Sequence, residues 1–315
     1  MAANLRNDSW LSGNESHWLW PEYYQEFPVF SAETVRIGCH PRKMQHPSGA
    51  KRAIVLVHGL SDSPYFMSAI GEYFHTVLGY DVYIPLLQCH GLKSPANMAG
   101  VALAEWLSNV RFAIRSAAQS VERVSIGGLS MGGALSYYLG CTDSLISGDL
   151  YLFSAALGLS PGPCALPGRF KEWLLRRPLI KRLDVGCQLV GKNPFRYDRF
   201  TLNSAAELAR LICKINTLPM LFPETGKPGR RIFSAWSECD NVISLGSLRA
   251  LQRRIPENRF TSFILSTTDK VDHACVVLQD PIFALNAESG SEPLERGNPR
   301  FAEMLTAIAR FAGAS

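Results

Sequence analysis

Short apolar runs rich in β-branched residues alternate with longer stretches of helical periodicity from about residue 50 onward. The runs that predict strands cover residues 52–57, 80–87, 121–127, 149–156, 231–236 and 260–265. The stretches that predict helices cover residues 63–78, 102–120, 131–139, 245–254 and 299–311. This alternation is typical of a parallel sheet covered by helices, so we predict an α/β fold with a mostly parallel central sheet.

The alternation is interrupted in residues 158–228, where Pro and Gly recur and no strand pattern is evident. Helical patterns at 169–183 and 204–215 predict a mainly helical insertion there. A core made of residues 26–157 and 229–315, with this segment inserted, fits better than two independent domains.

Two further expectations concern the N-terminal part of the chain. Residues 26–42 are expected to form one or two antiparallel strands at the edge of the sheet. The aromatic segment within residues 1–25 is expected to pack over that edge and shield it.

Composition and charge exclude several classes of protein. The 32 basic and 27 acidic residues, a net charge of +5, are scattered along the chain, which argues against a nucleic-acid partner. Residues 1–14 lack the apolar run of a signal peptide, and no later stretch is long and charge-free enough to span a bilayer, so we expect no integral membrane segment and a cytoplasmic location. The 8 cysteines lie far apart without the spacing of a zinc site, so we expect reduced thiols and no bound metal.

The strongest chemical signal is the pentapeptide Gly128-Leu129-Ser130-Met131-Gly132, which joins a predicted strand to a predicted helix. A nucleophilic serine must stand on a sharp turn, where the crowded backbone leaves room only for glycine two residues before and two residues after it. The positive end of the helix dipole then lies where negative charge develops during acyl transfer. The pattern therefore predicts Ser130 as a nucleophile.

A second element of the same site is expected where the first predicted strand ends, at His58-Gly59-Leu60. Acyl transfer needs two N–H donors for the tetrahedral intermediate, one directly after the nucleophile and one in a loop after an earlier strand. We assign these donors to the backbone N–H groups of Met131 and Leu60. His58 precedes the nucleophile in the chain, so we interpret it as a support for this loop and not as the catalytic base.

An acid and then a histidine should follow the nucleophile, each after a late strand. Asp240 and Glu238 both follow the strand predicted at 231–236, and Asp240 is preferred because the apolar residues just beyond it can anchor its loop. His273 is the only histidine beyond Asp240 in the chain. It would act as general base toward Ser130, while Asp240 would hold its tautomer.

These motifs resemble those of the α/β-hydrolase superfamily, in particular its branch of carboxylesterases, monoacylglycerol lipases and lysophospholipases. Residues 57–64 are similar to the oxyanion loop of that branch, and residues 88–95 are similar to its G-H-G-x-S-P turn, although Gln88 and Cys89 depart from the usual pattern. The resemblance implies an α/β-hydrolase fold in which residues 158–228 form a cap over the active site. It also implies a structural role for His90.

The sequence thus predicts an enzyme that hydrolyses a small-molecule carboxylic ester, either with a small to medium apolar acyl group or lipid-like. The reaction would proceed through an acyl-Ser130 intermediate, with Asp240 and His273 completing the triad and no cofactor. Two other activities of the same triad stay open, namely hydrolysis of an amide, as in an aminopeptidase, and acyl transfer to an acceptor other than water. A non-catalytic binding protein on the same fold is the alternative from another class.

Overall fold

The computed structural model describes residues 18–161, 167–177, 189–218 and 230–313. Residues 1–17 of the N-terminal segment and residues 178–183 of the helix predicted from residue 169 lie outside the described residues. The same holds for other parts of the predicted cap, including residues 219–228.

One sheet of seven strands is formed by the described residues. The strands are β1 (Arg42–Met44), β2 (Arg52–Val57), β3 (Asp81–Ile84), β4 (Arg123–Leu129), β5 (Leu150–Phe153), β6 (Ile232–Ser237) and β7 (Phe260–Leu265). Their order is β1-β3-β2-β4-β5-β6-β7, and every neighbouring pair is parallel except the antiparallel pair of β1 with β3. Val57 lies opposite Gly128 and Leu129 lies opposite Phe153, so β2, β4 and β5 end together at one edge of the sheet.

Helices cover the sheet, and two of them lie in the chain between β5 and β6. They are α1 (Pro21–Glu26), α2 (Tyr65–Thr76), α3 (Leu103–Ala118), α4 (Met131–Thr142), α5 (Gly168–Leu175), α6 (Leu202–Asn216), α7 (Leu245–Arg254) and α8 (Phe301–Ala312). Helices α2, α3, α4 and α8 pack on the sheet, whereas α5 and α6 pack on each other and α6 also packs on α4. None of the helices in the described residues combines the length and the apolarity that a membrane crossing requires.

The predicted α/β architecture with a mostly parallel sheet is confirmed, and β2 and β7 have the predicted bounds. The strand predicted at 80–87 is shorter and ends at Ile84. Beyond that point side chains bind the backbone: the carbonyl of Leu86 accepts the Tyr23 hydroxyl at 2.6 Å, and the N–H of Leu87 donates to His58 Nε2 at 3.1 Å. A backbone group held in this way no longer takes part in a strand ladder.

The prediction of one or two strands within residues 26–42 is wrong. The edge strand β1 has only three residues and begins at Arg42, and the residues before it form turns. The N–H of Val35 donates to the Ser31 carbonyl at 3.1 Å, and the N–H of Thr34 donates to the Ser31 hydroxyl at 3.1 Å. Local hydrogen bonds to a serine side chain compete with strand pairing, and here they hold residues 31–35 in a turn.

Two side chains of the aromatic segment near the N-terminus are buried in the core. Trp20 is 1% exposed and Tyr23 is fully buried. The Trp20 ring centroid lies 5.4 Å from that of Tyr83 in β3 and 5.5 Å from that of Phe112 in α3. These contacts attach α1 to the β3 side of the sheet, because aromatic rings at such distances pack favourably.

Candidate active site

Ser130 lies at the turn between β4 and α4, with φ 54° and ψ −116°. A positive φ is rare for a residue with a side chain, and it marks a backbone that its surroundings hold in place. The N–H of Ser130 donates to the Phe153 carbonyl at 2.9 Å, and its own carbonyl accepts the N–H of Ala156 at 2.9 Å. The turn is therefore fixed to the end of the neighbouring strand β5.

Glycine is required on both sides of this turn, as the pentapeptide predicts. A methyl group on Gly128 would lie 2.5 Å from the Val57 carbonyl oxygen, and a methyl group on Gly132 would collide with the same oxygen. Only hydrogen fits at either position, because the turn passes directly over the end of β2.

The loop after β2 is held by two buried histidines. His58 Nε2 accepts the N–H of Leu87 at 3.1 Å, so Nδ1 carries the proton and donates to the Gly59 carbonyl at 2.9 Å. Burial and the nearby His90 hold the pKa of His58 well below its usual value, which keeps the ring neutral. Because C=O and N–H of a trans peptide point in opposite directions, fixing the Gly59 carbonyl sets the direction of the Leu60 N–H. His90 Nε2 donates to the Leu60 carbonyl at 2.6 Å and fixes the next peptide.

The two backbone groups predicted as oxyanion donors lie near Ser130. Met131 follows Ser130 directly, and Leu60 lines the same cavity as Ser130. The loop passes beside the serine, since a methyl group on Gly59 would lie 3.3 Å from the Ser130 Cβ. Within the described part of the chain, neither the Leu60 nor the Met131 N–H donates a backbone hydrogen bond.

Asp240 and His273 are joined by a hydrogen bond between Oδ2 and Nδ1 of 2.6 Å. The Asp240 side chain has no exposed surface, and its Oδ1 accepts the N–H groups of Val242 at 2.9 Å and Ile243 at 3.2 Å. Burial alone would raise the pKa of Asp240, but the bonds from His273 and from the two N–H groups outweigh it and hold that pKa below its usual value. The carboxylate is therefore ionised and accepts the Nδ1 proton of the ring.

Ser130 and His273 line one cavity of about 540 Å³. Nε2 of His273 is buried, and no described residue forms a hydrogen bond with it, the Ser130 hydroxyl included. The structure thus brings the predicted serine and histidine to one cavity without joining them by a hydrogen bond. Catalytic hydrogen bonds are often long before substrate binds and shorten in the complex.

Among the described residues, Asp240 is the one acid that forms a hydrogen bond with the His273 ring. Glu238 forms an ion pair with Arg249 at 3.1 Å on the surface. Asp269 accepts the Ser266 N–H at 2.7 Å. The preference for Asp240 over Glu238 therefore agrees with the contacts. Among the described residues, no three His, Cys, Asp or Glu side chains are grouped so that they could hold a metal ion.

Three charged residues that line the cavity form a cluster to which the sequence patterns assign no role: Asp62, Arg196 and Glu295. Arg196 lies 3.3 Å from Asp62 Oδ1 and 2.7 Å from Glu295 Oε1. Asp62 lies in residues 57–64, the segment that is similar to an oxyanion loop, and this similarity is the one sequence feature that could have indicated a role for the cluster. The three residues are far apart in the chain, so no local spacing indicates that they meet.

The sheet order and the strand–turn–helix at Ser130 are those of an α/β hydrolase. The chain belongs to the alpha/beta hydrolase family, because the model of that family matches residues 54–288. The predicted fold class and family are thereby confirmed.

Known proteins similar to this chain include lipases. A thermostable monoacylglycerol lipase from Bacillus sp. (strain H-257) is 31% identical over 176 residues, which are 51% of this chain and 66% of that protein. The chain thus spans slightly less than two thirds of the length of that relative. This relative agrees with the predicted resemblance to the monoacylglycerol lipase branch.

Solved structures show the same fold. One from a study of the metagenome-derived lipolytic enzymes LipS and LipT has a TM-score of 0.64 at 19% identity and covers 89% of this chain and 100% of its own. The monoacylglycerol lipase of Paleococcus ferrophilus has a TM-score of 0.58 at 17% identity and covers 88% of this chain and 99% of its own. A soluble variant of the monoglyceride lipase of Saccharomyces cerevisiae has a TM-score of 0.59 at 12% identity and covers 87% of this chain and 90% of its own.

Proposed function

We propose that this protein hydrolyses carboxylic esters through a covalent acyl intermediate on Ser130. The observation that carries the proposal is the hydrogen-bonded pair of His273 and Asp240, whose imidazole lines the same cavity as Ser130. Nε2 of that imidazole has no partner among the described residues, so it is available as a base.

The reaction follows from these positions. His273 Nε2 takes the proton of Ser130 Oγ while Oγ attacks the carbonyl carbon of the ester. The carbonyl electron pair moves to oxygen, and the oxyanion accepts hydrogen bonds from the N–H groups of Leu60 and Met131. As the intermediate collapses, the leaving alkoxide takes the proton from Nε2 and departs as the alcohol. Water then attacks the acyl-serine by the same route, which releases the carboxylic acid and restores Ser130. Asp240 stabilises the imidazolium formed in each step.

The cavity is lined by both apolar and charged side chains. The apolar ones include Leu159, Leu175, Leu202, Leu208, Val242 and Ile243. A cavity of about 540 Å³ is in the range that holds a small-molecule ligand of medium size. The charged ones include the cluster of Asp62, Arg196 and Glu295 beside the loop after β2, together with Lys171 and Asp272. We infer that the substrate is an ester of a medium-length fatty acid with a small hydroxylated alcohol, such as a monoacylglycerol. The similar thermostable monoacylglycerol lipase supports this choice.

One observation favours a second candidate, the hydrolysis of an amide that carries a free amine. Asp272 lines the cavity next to His273 and is exposed to solvent, and none of the described residues forms an ion pair with its carboxylate. An unpaired carboxylate there would bind an ammonium group. Comparing an aminoacyl aryl amide with a butyrate ester of the same leaving-group size separates the two candidates.

The proposed location is the cytoplasm. The six cysteines that the structure describes form no disulfide. Thiols persist in a reducing compartment such as the cytoplasm.

The test of the proposed function is Ser130→Ala, assayed with p-nitrophenyl butyrate and with monoacylglycerols of increasing chain length. We expect kcat to fall by at least about 10⁴-fold, because the nucleophile is lost. Ser136→Ala is the matched control, since Ser136 lies in helix α4, which begins directly after Ser130, and its hydroxyl donates to the Gly132 carbonyl at 2.7 Å, outside the cavity. That variant should keep kcat within about twofold of wild type. Turnover by Ser130→Ala above about a tenth of the wild-type rate would refute the proposal.

A further inference from the structure

Arg196 lies in the inserted segment, but its guanidinium reaches the loop that follows β2. Nη2 donates to the Ser61 hydroxyl at 2.8 Å, and Nε lies 3.3 Å from Asp62 Oδ1. Nη1 donates to Glu295 Oε1 at 2.7 Å. Each of the three nitrogens therefore has its own partner, and two of the partners are consecutive residues of the loop.

The charges in this cluster are largely shielded from water. The side chain of Arg196 is 25% exposed, that of Asp62 is 3% exposed and that of Glu295 is 16% exposed. Burial opposes the charge of Arg196, but the carboxylates of Asp62 and Glu295 outweigh this effect and raise the pKa of the guanidinium. The planar guanidinium donates in fixed directions, so it holds its three partners in one preferred geometry. Removing it would leave buried charges uncompensated.

The segment that carries Arg196 is itself anchored in the core. The N–H of Tyr197 donates to the Ser61 carbonyl at 2.7 Å, and the hydroxyl of Tyr197 accepts the N–H of Leu92 at 2.9 Å. The ring of Phe195 stacks on Tyr65 with 3.5 Å between the centroids. Arg196 thus stands between two residues that are attached to the core.

The loop residues that Arg196 holds adjoin the peptide that carries the Leu60 N–H. Ser61 follows Leu60, and the N–H of Asp62 donates to the Gly59 carbonyl at 3.3 Å. A methyl group on Gly59 would collide with the Asp62 carboxylate and would lie 3.3 Å from the Ser130 Cβ. Gly59, whose carbonyl belongs to the same peptide as the Leu60 N–H, is therefore close to both Ser130 and the carboxylate that Arg196 binds.

We propose that Arg196 is a positioning residue that keeps the Leu60 N–H directed at the oxyanion formed on Ser130. The role rests on the proposed ester hydrolysis, since it concerns the donor that this reaction needs. Because the oxyanion exists only in the transition state and the intermediate, loss of Arg196 should lower kcat and leave KM almost unchanged.

The test compares Arg196→Met and Arg196→Lys with wild type, using p-nitrophenyl butyrate as substrate. We expect Arg196→Met to lower kcat by about 10- to 100-fold, as for a misplaced oxyanion donor, with KM within about threefold. Binding of an alkyl trifluoromethyl ketone, whose serine adduct carries the same oxyanion, should weaken by the same factor as kcat. Arg196→Lys should recover part of the loss, because the ammonium keeps one of the ion pairs.

Arg36→Met is the matched control. Arg36 Nη1 donates to the carbonyls of Asn193 and Arg196, so it supports the same segment, but it has no described contact with Ser61 or Asp62. Its loss should lower the melting temperature and leave kcat within about twofold of wild type. A loss of kcat in Arg36→Met equal to that in Arg196→Met would show that general loosening is the cause, and it would overturn the proposal.

Ser61→Ala extends the test in case Arg196→Met does not fold, since it removes only the hydroxyl that accepts from Nη2. We expect a several-fold loss of kcat with ketone binding weakened in parallel. Unchanged kcat and ketone binding in the folded variants would refute the role of Arg196. An inactive wild-type protein would instead refute the ester hydrolysis itself.

Discussion

Replacing Asp240 with asparagine changes one oxygen of the His273–Asp240 pair into an amide nitrogen. Oδ1 of Asp240 accepts two backbone N–H groups, from Val242 at 2.9 Å and from Ile243 at 3.2 Å. An asparagine would keep its oxygen there, because the amide nitrogen cannot accept these bonds. Its NH₂ group would then face His273 Nδ1 at the position of the present 2.6 Å contact.

That orientation fixes the wrong tautomer of the imidazole. The NH₂ group donates to Nδ1, so the ring proton moves to Nε2, which can no longer take the Ser130 proton. In the well-known serine protease triad, the corresponding exchange of Asp for Asn lowers kcat by about 10⁴-fold. A loss of this size in Asp240→Asn corresponds to about 5.4 kcal/mol of transition-state stabilisation at 1.36 kcal/mol for each factor of ten. The shape of the side chain is unchanged, so the melting temperature should change far less than the activity.

The assay is kcat/KM for p-nitrophenyl butyrate, measured beside a thermal unfolding curve. Glu238→Gln is the matched control, because Glu238 lies two residues away and pairs with the surface residue Arg249. The control should stay within about twofold of wild type, as expected for a weak surface pair. The reasoning would be refuted if folded Asp240→Asn kept more than about a tenth of wild-type kcat/KM, or if Glu238→Gln showed the large loss.

Three further predictions follow from the packing and the charges. Gly132→Ala should lower the free energy of unfolding, measured in urea, by more than about 2 kcal/mol, because the alanine methyl group collides with the Val57 carbonyl oxygen. An unchanged free energy of unfolding would contradict this packing. His58→Phe removes the donor to the Gly59 carbonyl and should lower kcat by about 10- to 100-fold with little change in KM. An unaltered kcat would show that His58 does not position the Leu60 N–H. Burial raises the pKa of Glu72 from 4.5 to about 7, so the folded state binds this proton more tightly and stability falls as pH rises through that window. Glu72→Gln should therefore be more stable than wild type at pH of about 8 and gain nothing at pH of about 4, and an equal gain at both pH values would argue against the raised pKa.

Much of the fold was predictable because the signals that specify it are local. The apolar residues of β2 are all buried in the centre of the sheet, and such a continuous apolar run is typical of a buried strand. The helix α7 also has the predicted bounds. The errors occur where distant groups compete for the backbone. The pattern of apolar residues predicts that the strand continues through Leu86 and Leu87. Instead, the Leu86 carbonyl accepts the Tyr23 hydroxyl, and the Leu87 N–H donates to the His58 ring. No periodicity in the sequence reports such long-range hydrogen bonds.

The candidate site divides in the same way. Ser130 has a local signal, since only glycine fits on either side of its turn, and His273 has one because no other histidine follows Asp240 in the chain. Arg196 has none, because its partners Asp62 and Glu295 are brought to it only by the folded chain. Ion pairs between residues so distant in the chain cannot be predicted from local sequence patterns.

The central claim is that Ser130 is a nucleophile activated by His273, and covalent labelling tests it most directly. The folded protein is treated with a fluorophosphonate probe, and the modified residue is identified by peptide mass spectrometry. We predict one adduct, on the Ser130 hydroxyl, which forms much more slowly in His273→Ala and is absent from Ser130→Ala. Absence of labelling in the folded wild-type protein, or an adduct on another residue that persists in Ser130→Ala, would contradict the claim.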